Sequence, residues 1–361
     1  MEKQASRDYG LDIVRIISML GIVILHINGA GGILNGCESV QSKYLVSYFV
    51  EICAYTSVDL FGLLSGYLGL YKRKNSCFRV LELILIAAFY CLVITALFLI
   101  FLPDKVMGFT AIVSGFIPQL KGRYWYITCY IPVAVFQPFI NKMLLTLSEK
   151  EHFKLSVLII VLFGFAQSFI IVDLFAFKKG YSFVWLLCLY IIGAYIKRVD
   201  LFNKSHRLKL KAAMTFLACS SVLLLGNLLI DIVINNKMMY FVSYISPIVL
   251  IMSACLLLFF RNMHISHFGK ALSFLSLVTF DVYLIHCHIL VYDNYITDGF
   301  KWITTHPTIQ IPFLIAIAAI KIFVATSIIG GMRMLLFRAI KMDKLITVLS
   351  SKIDNLLYLN M

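Results

Sequence analysis

Apolar residues in this chain run in stretches about as long as a bilayer is thick, separated by short segments where glycine, proline and charge collect. Such stretches fall near 11–28, 44–70, 79–102, 123–140, 155–173, 181–197, 212–232, 240–260, 272–292 and 309–338. Each is near the ~20 residues a helix needs to cross the hydrocarbon core. The pattern predicts an all-α, polytopic integral membrane protein with about ten transmembrane helices. These form one domain over 1–345, followed by a short C-terminal tail over 346–361. The connection 103–122, with Pro103, Gly108, Gly115 and Pro118, is expected to be partly re-entrant or interfacial. The first stretch, Leu11 to Ile27, follows a charged segment and precedes further spans, so it is expected to be retained as a helix.

Composition removes the soluble alternatives. Of 361 residues, 61% are hydrophobic and 14% charged. Soluble domains carry about 25% charge, so this chain lacks the polar surface to face water. The net charge of +14 raises nucleic acid as a partner, but the basic residues sit in short clusters between apolar spans, with no basic face interleaved with aromatics. Most of the 32 Lys and Arg fall in the connections on one side of the expected spans, which puts both termini in the cytoplasm and the chain in the cell membrane against anionic lipid. The nine cysteines show no CxxC pair or regular spacing, so they read as small core residues and no metal site is expected.

Ionisable residues inside spans carry the candidate chemistry, because each costs several kcal/mol in lipid. The first span holds Asp12, Arg15 and His26. At roughly 100° per residue, Arg15 and His26 point within ~20° of each other and lie about 16 Å apart along the axis. One helix face therefore presents a guanidinium near one membrane surface and an imidazole deeper in. Arg15 alone reads equally well as a snorkelling arginine; the aligned pair favours function. The second span carries Glu51 and Asp59, then Phe61, Ser65 and Gly66, the last two well suited to close helix packing. Arg123-Tyr124-Trp125-Tyr126 alone reads as an interfacial aromatic belt. In the ninth span Tyr283 and His286 share a face and His288 points away; Asp281 lies on the same segment. His264 and His267 lie in a loop with no carboxylate or thiol nearby.

Together these residues resemble the acyltransferase-3 family of integral membrane O-acyltransferases. Arg15-x10-His26 after Asp12 is similar to that family's helix-1 signature, and Phe61-x3-Ser65-Gly66 to its FxxxSG element. The basic run ending in Arg79 resembles its cytoplasmic arginines. Tyr124-Trp125-Tyr126 and Tyr283-Leu-Ile-His286 resemble its aromatic and late tyrosine–histidine elements. The style of the chain is closest to the branch of surface-polysaccharide O-acetyltransferases. The resemblance covers essentially the whole sequence. Members often append a hydrolase-like domain; none is read in this sequence, which leaves the acceptor open.

The resemblance implies acyl-CoA, with acetyl-CoA favoured, as a cytoplasmic co-substrate, and an envelope saccharide or lipid-linked glycan as acceptor. Arg15, Arg73 and Arg79, in a cluster with Lys72 and Lys74, suit a polyanionic donor, and arginine's planar fork suits phosphate. Tyr126 is assigned to the donor site with them. His26 is the expected general base, since a neutral imidazole can take a hydroxyl proton near physiological pH; an acyl-histidine intermediate is also open. His286 joins the expected catalytic set. The oxyanion donor is left among Ser65, Tyr126 and Tyr283. Two other classes stay in view: a transporter or flippase for a lipid-linked sugar, and a sensor or uptake module. A dimer is compatible with the sequence.

Overall fold

In a computed structural model the described residues are 7–71, 76–106, 108–168, 172–199, 206–234, 239–263 and 268–358. Among them the chain is all-helical. The helices of eight or more residues are α1 (Tyr9–Asn28), α2 (Ser42–Gly69), α3 (Ser76–Phe101), α4 (Phe109–Phe116), α5 (Trp125–Thr146), α6 (Glu149–Ile159), α7 (Phe183–Arg198), α8 (His206–Ile234), α9 (Pro247–Arg261), α10 (Gly269–Leu277), α11 (Thr279–His286), α12 (Ile311–Ala339) and α13 (Met342–Tyr358). Six stretches among the described residues are long and apolar enough to cross a bilayer: Tyr9–Gly36, Ser42–Gly69, Cys77–Phe101, Glu149–Ser168, Arg207–Ile234 and Thr308–Ala339.

The other four expected spans are helical but differ in kind. Helix α5 is long enough, yet it carries Pro132 and Pro138 inside it and the polar Gln137 and Asn141. Helices α7 and α9 have 16 and 15 residues. The stretch 272–292 is broken into α10, α11 and a short helix Ile289–Val291. The connection 103–122 forms the eight-residue α4 between the turns Pro103–Lys105 and Pro118–Lys121, too short to cross a bilayer.

Helix α1 is central. The Asp8 side chain caps it by accepting from the N–H of Gly10, and Asp8 pairs with Arg261 of α9. It packs against α2, α9, α10, α11 and α12. The most apolar windows of α1 and α2 are each 67% buried, against 22% for Arg207–Ile234, so α8 lies on the outside of the bundle. Helix α2 crosses α7 with the two backbones in contact. A Cβ at Gly66 would lie 1.9 Å from the carbonyl oxygen of Tyr190, and one at Gly193 2.0 Å from that of Leu63. The glycine of the Phe61–Gly66 segment is therefore a packing residue. Of the segment expected as a tail, residues 346–358 lie in α13, which packs on α3 and α12.

Candidate active site

Two cavities lie at opposite ends of α1 and meet at its middle. The larger, of about 870 Å³, is lined by Arg15, Phe61, Ser65, Arg79 and Tyr130, with Thr347, Ser350 and Asp354 from α13. The smaller, of about 80 Å³, is lined by His26, Arg123, Trp125, Tyr181, Tyr244, Cys287 and Tyr292. Ile22, Tyr126 and Tyr283 line both, so these three side chains form the wall between them.

Beside this wall two imidazoles from sequence-distant helices meet. Nδ1 of His26 lies 3.0 Å from Nε2 of His286. The network fixes the protons. Nδ1 of His286 contacts the carbonyl oxygen of Val282, one turn earlier, and a carbonyl only accepts. In the neutral ring, Nδ1 of His286 therefore carries the hydrogen and Nε2 is bare. Nδ1 of His26 must donate to it, which leaves Nε2 of His26 unprotonated. Among the described residues that nitrogen has no hydrogen-bond partner. The ring edge of His26 also meets Tyr292, with centroids 5.2 Å apart.

Cys287, directly after His286, puts its Sγ 3.4 Å from Nε2 of His286 and 3.7 Å from Nδ1 of His26. The three donor atoms lie within 4.8 Å of one another, a set that can surround one metal ion. The His–His contact is equally a direct hydrogen bond, which a shared proton already satisfies. Cys287 marks a break in the chain: α11 ends at His286, and His288 is extended (φ −60°, ψ 133°). Non-helical backbone at membrane depth is tolerated only where it is buried in protein or lines a cavity.

The oxyanion candidates separate. Ser65 donates to the carbonyl of Gly62 in its own helix, 2.8 Å away, so its proton is engaged. Tyr283 is 5% exposed, and its hydroxyl has no hydrogen-bond partner among the described residues. Next to it stand the backbone N–H groups of Tyr126 and Ile127. Those amides belong to the first turn of α5 and have no carbonyl to bind within the helix. Tyr124, just before that turn, is held left-handed (φ 58°) while its hydroxyl donates to the carbonyl of Leu284. That anchor sets the start of α5 against α11, so a strained residue positions the donors.

The remaining expected residues divide between site and scaffold. Arg15 donates to Asp12 at 3.1 Å and to Ser276 at 3.3 Å, with a third of its side chain open to the larger cavity. Arg79 pairs with Glu82 at the same cavity. Arg73, with Lys72 and Lys74, lies outside the described residues, as do His264 and His267. The ring of Tyr126 stacks on Tyr130 at the wall. Asp281 is scaffold: Arg333 binds it through two bonds of 2.8 Å, and Tyr90 donates to it at 2.7 Å. Glu51 accepts from Asn28 and Asp59 from Trp185. His288 ties α4 down through the carbonyl of Gly115. Sequence reading missed Tyr292 and took Cys287 for core; it read Arg123 only as part of an interfacial belt, and Trp125 as part of that belt and of the aromatic element the resemblance supplied.

A family model described as an acyltransferase domain matches residues 8–331. The chain belongs to the acyltransferase-3 family. That membership and the long apolar helices make it a membrane acyltransferase. No curated protein and no solved structure matches it. The match runs from the cap of α1 into α12, so it takes in both cavities, the imidazole pair and Cys287. The end of α12, with Arg333, and α13, with its share of the larger cavity, lie outside.

Proposed function

We propose that this acyltransferase is an acetyl-CoA-dependent O-acetyltransferase of the plasma membrane that acylates a hydroxyl of an envelope saccharide or lipid-linked glycan. In this reading the chain crosses the bilayer ten times with both termini in the cytoplasm, and the larger cavity opens there. One observation carries it: a single helix face puts Arg15 in one cavity and His26 in another, with a three-residue wall between.

The larger cavity falls within the ~300–1,000 Å³ usual for ligand sites, and its arginines supply planar forks for phosphate. The donor's acyl end then points to the wall. The smaller cavity has room for a few water-sized groups, since a water claims about 30 Å³. It fits a hydroxyl and its carbon, not a sugar ring. The ring is accommodated at the aromatic rim, where Trp125 and Tyr181 stand 4.6 Å and Tyr181 and Tyr244 5.0 Å between centroids. Flat faces beside polar edges suit the C–H face and hydroxyl edge of a sugar. Nε2 of His26 takes the hydroxyl proton, and His286 fixes its tautomer. The Tyr283 hydroxyl and the N–H groups of Tyr126 and Ile127 receive the oxyanion.

The test is transfer from radiolabelled acetyl-CoA to envelope glycan in membranes open on both sides. His26→Ala is expected to lower transfer by about 10²–10⁴-fold. Arg15→Ala is expected to raise the donor KM with a smaller change in kcat. Transfer by His26→Ala at the wild-type rate would sink the reading. Sugar movement without acetyl-CoA consumption would favour a transporter.

A further inference from the structure

We propose that Cys287 is a catalytic nucleophile that carries the acyl group as a thioester between the two cavities; this rests on the acetyl-CoA reading above. Three observations converge. The thiol lines the smaller cavity, on the acceptor side of the wall. Its sulfur is 3.4 Å from Nε2 of His286 and 3.7 Å from Nδ1 of His26, so the thiol stands beside both imidazoles of the pair. And Tyr283, one turn earlier on the same helix face, lines both cavities.

A thiol needs a base, because the thiolate is the nucleophile. His286 can serve only through Nε2, since Nδ1 is committed to Val282, and that nitrogen is open to the thiol when His26 holds its hydrogen on Nε2 instead of donating from Nδ1. The first step is a thioester exchange. The proton of Cys287 moves to Nε2 of His286 as Sγ attacks the acyl carbon. The bond from that carbon to the sulfur of CoA breaks, and the departing CoA thiolate takes the proton from His286. S-acyl-Cys287 and free CoA result, with one thioester exchanged for another. In the second step His26, back in the tautomer with hydrogen on Nδ1, takes the proton of the acceptor hydroxyl on Nε2, and that oxygen attacks the Cys287 thioester. Sγ leaves and recovers a proton from the imidazole pair, and the product is an oxygen ester with the thiol regenerated. The relay separates the two events in time: the donor's acyl end reaches past the wall to Cys287, and CoA departs before the acceptor hydroxyl meets the thioester in the smaller cavity.

The experiment uses purified full-length protein and [1-14C]acetyl-CoA, first without acceptor and then with glycan. Wild type is expected to hold label that neutral hydroxylamine releases, on the peptide containing Cys287. Cys287→Ala is expected to lose that label and at least about 100-fold of glycan acylation. Cys287→Ser is expected to trap label as a hydroxylamine-resistant ester. Glycan acylation by Cys287→Ala within about threefold of wild type overturns the relay and leaves the transferase reading standing. So does label found on His26, or one zinc per chain that is lost in Cys287→Ala. If wild type consumes no acetyl-CoA with or without glycan, the transferase reading fails and the relay falls with it.

Discussion

At the residue scale, the imidazole pair works by division of labour. His286 has one nitrogen tied to Val282 and the other facing His26, so it sets which nitrogen of His26 is free. His286→Asn removes that control while leaving His26 in place. The expected outcome is a fall in kcat of about 10²-fold or more with little change in the acceptor KM. Initial rates over a glycan titration check it; an unchanged kcat would remove His286 from the mechanism. The alignment of Arg15 with His26 was legible in sequence because helical periodicity holds within one helix. The meeting of His26 with His286 was not, because the two lie 260 positions apart and only packing of α1 on α11 brings them together. Cys287 was hidden by its surroundings, since a cysteine in an apolar run usually fills core.

At the element scale, the close crossing of α2 and α7 holds the wall of the larger cavity in place. Gly66 lies one residue after Ser65, which lines that cavity. Gly66→Leu would force side-chain atoms into the Tyr190 carbonyl and part the helices. The expected outcome is a melting transition lower by several degrees and a loss of folded protein on size-exclusion chromatography, with overpacking costing about 1–3 kcal/mol or more. Most spans could be located in the sequence because long apolar runs leave few alternatives in lipid. The breaks in 272–292 could not. No glycine or proline lies between Lys270 and Asp298, and the helix is interrupted at Val278 and again at Cys287–His288 by tertiary contacts such as His288 with Gly115. The role of α13 was missed for a similar reason: a polar, amphipathic segment after the last apolar run reads as a tail until it is seen packed on α3.

At the scale of the whole molecule, the described helices enclose two cavities that stop short of joining. Their common boundary is Ile22, Tyr126 and Tyr283. Wherever a protein opens toward both faces of a membrane, such a boundary is electrical insulation as well as catalytic architecture. Each elementary charge crossing 100 mV releases about 2.3 kcal/mol, so even slow leakage would run down the cell's energy supply. Ile22 adds no polar atom to the chemistry but closes the gap between two tyrosines. Ile22→Ala is expected to raise the proton conductance of liposomes holding the protein, read from the decay of an imposed pH gradient, while acyl transfer persists. A gradient that decays as slowly as with wild type would show that the tyrosines alone keep the membrane sealed.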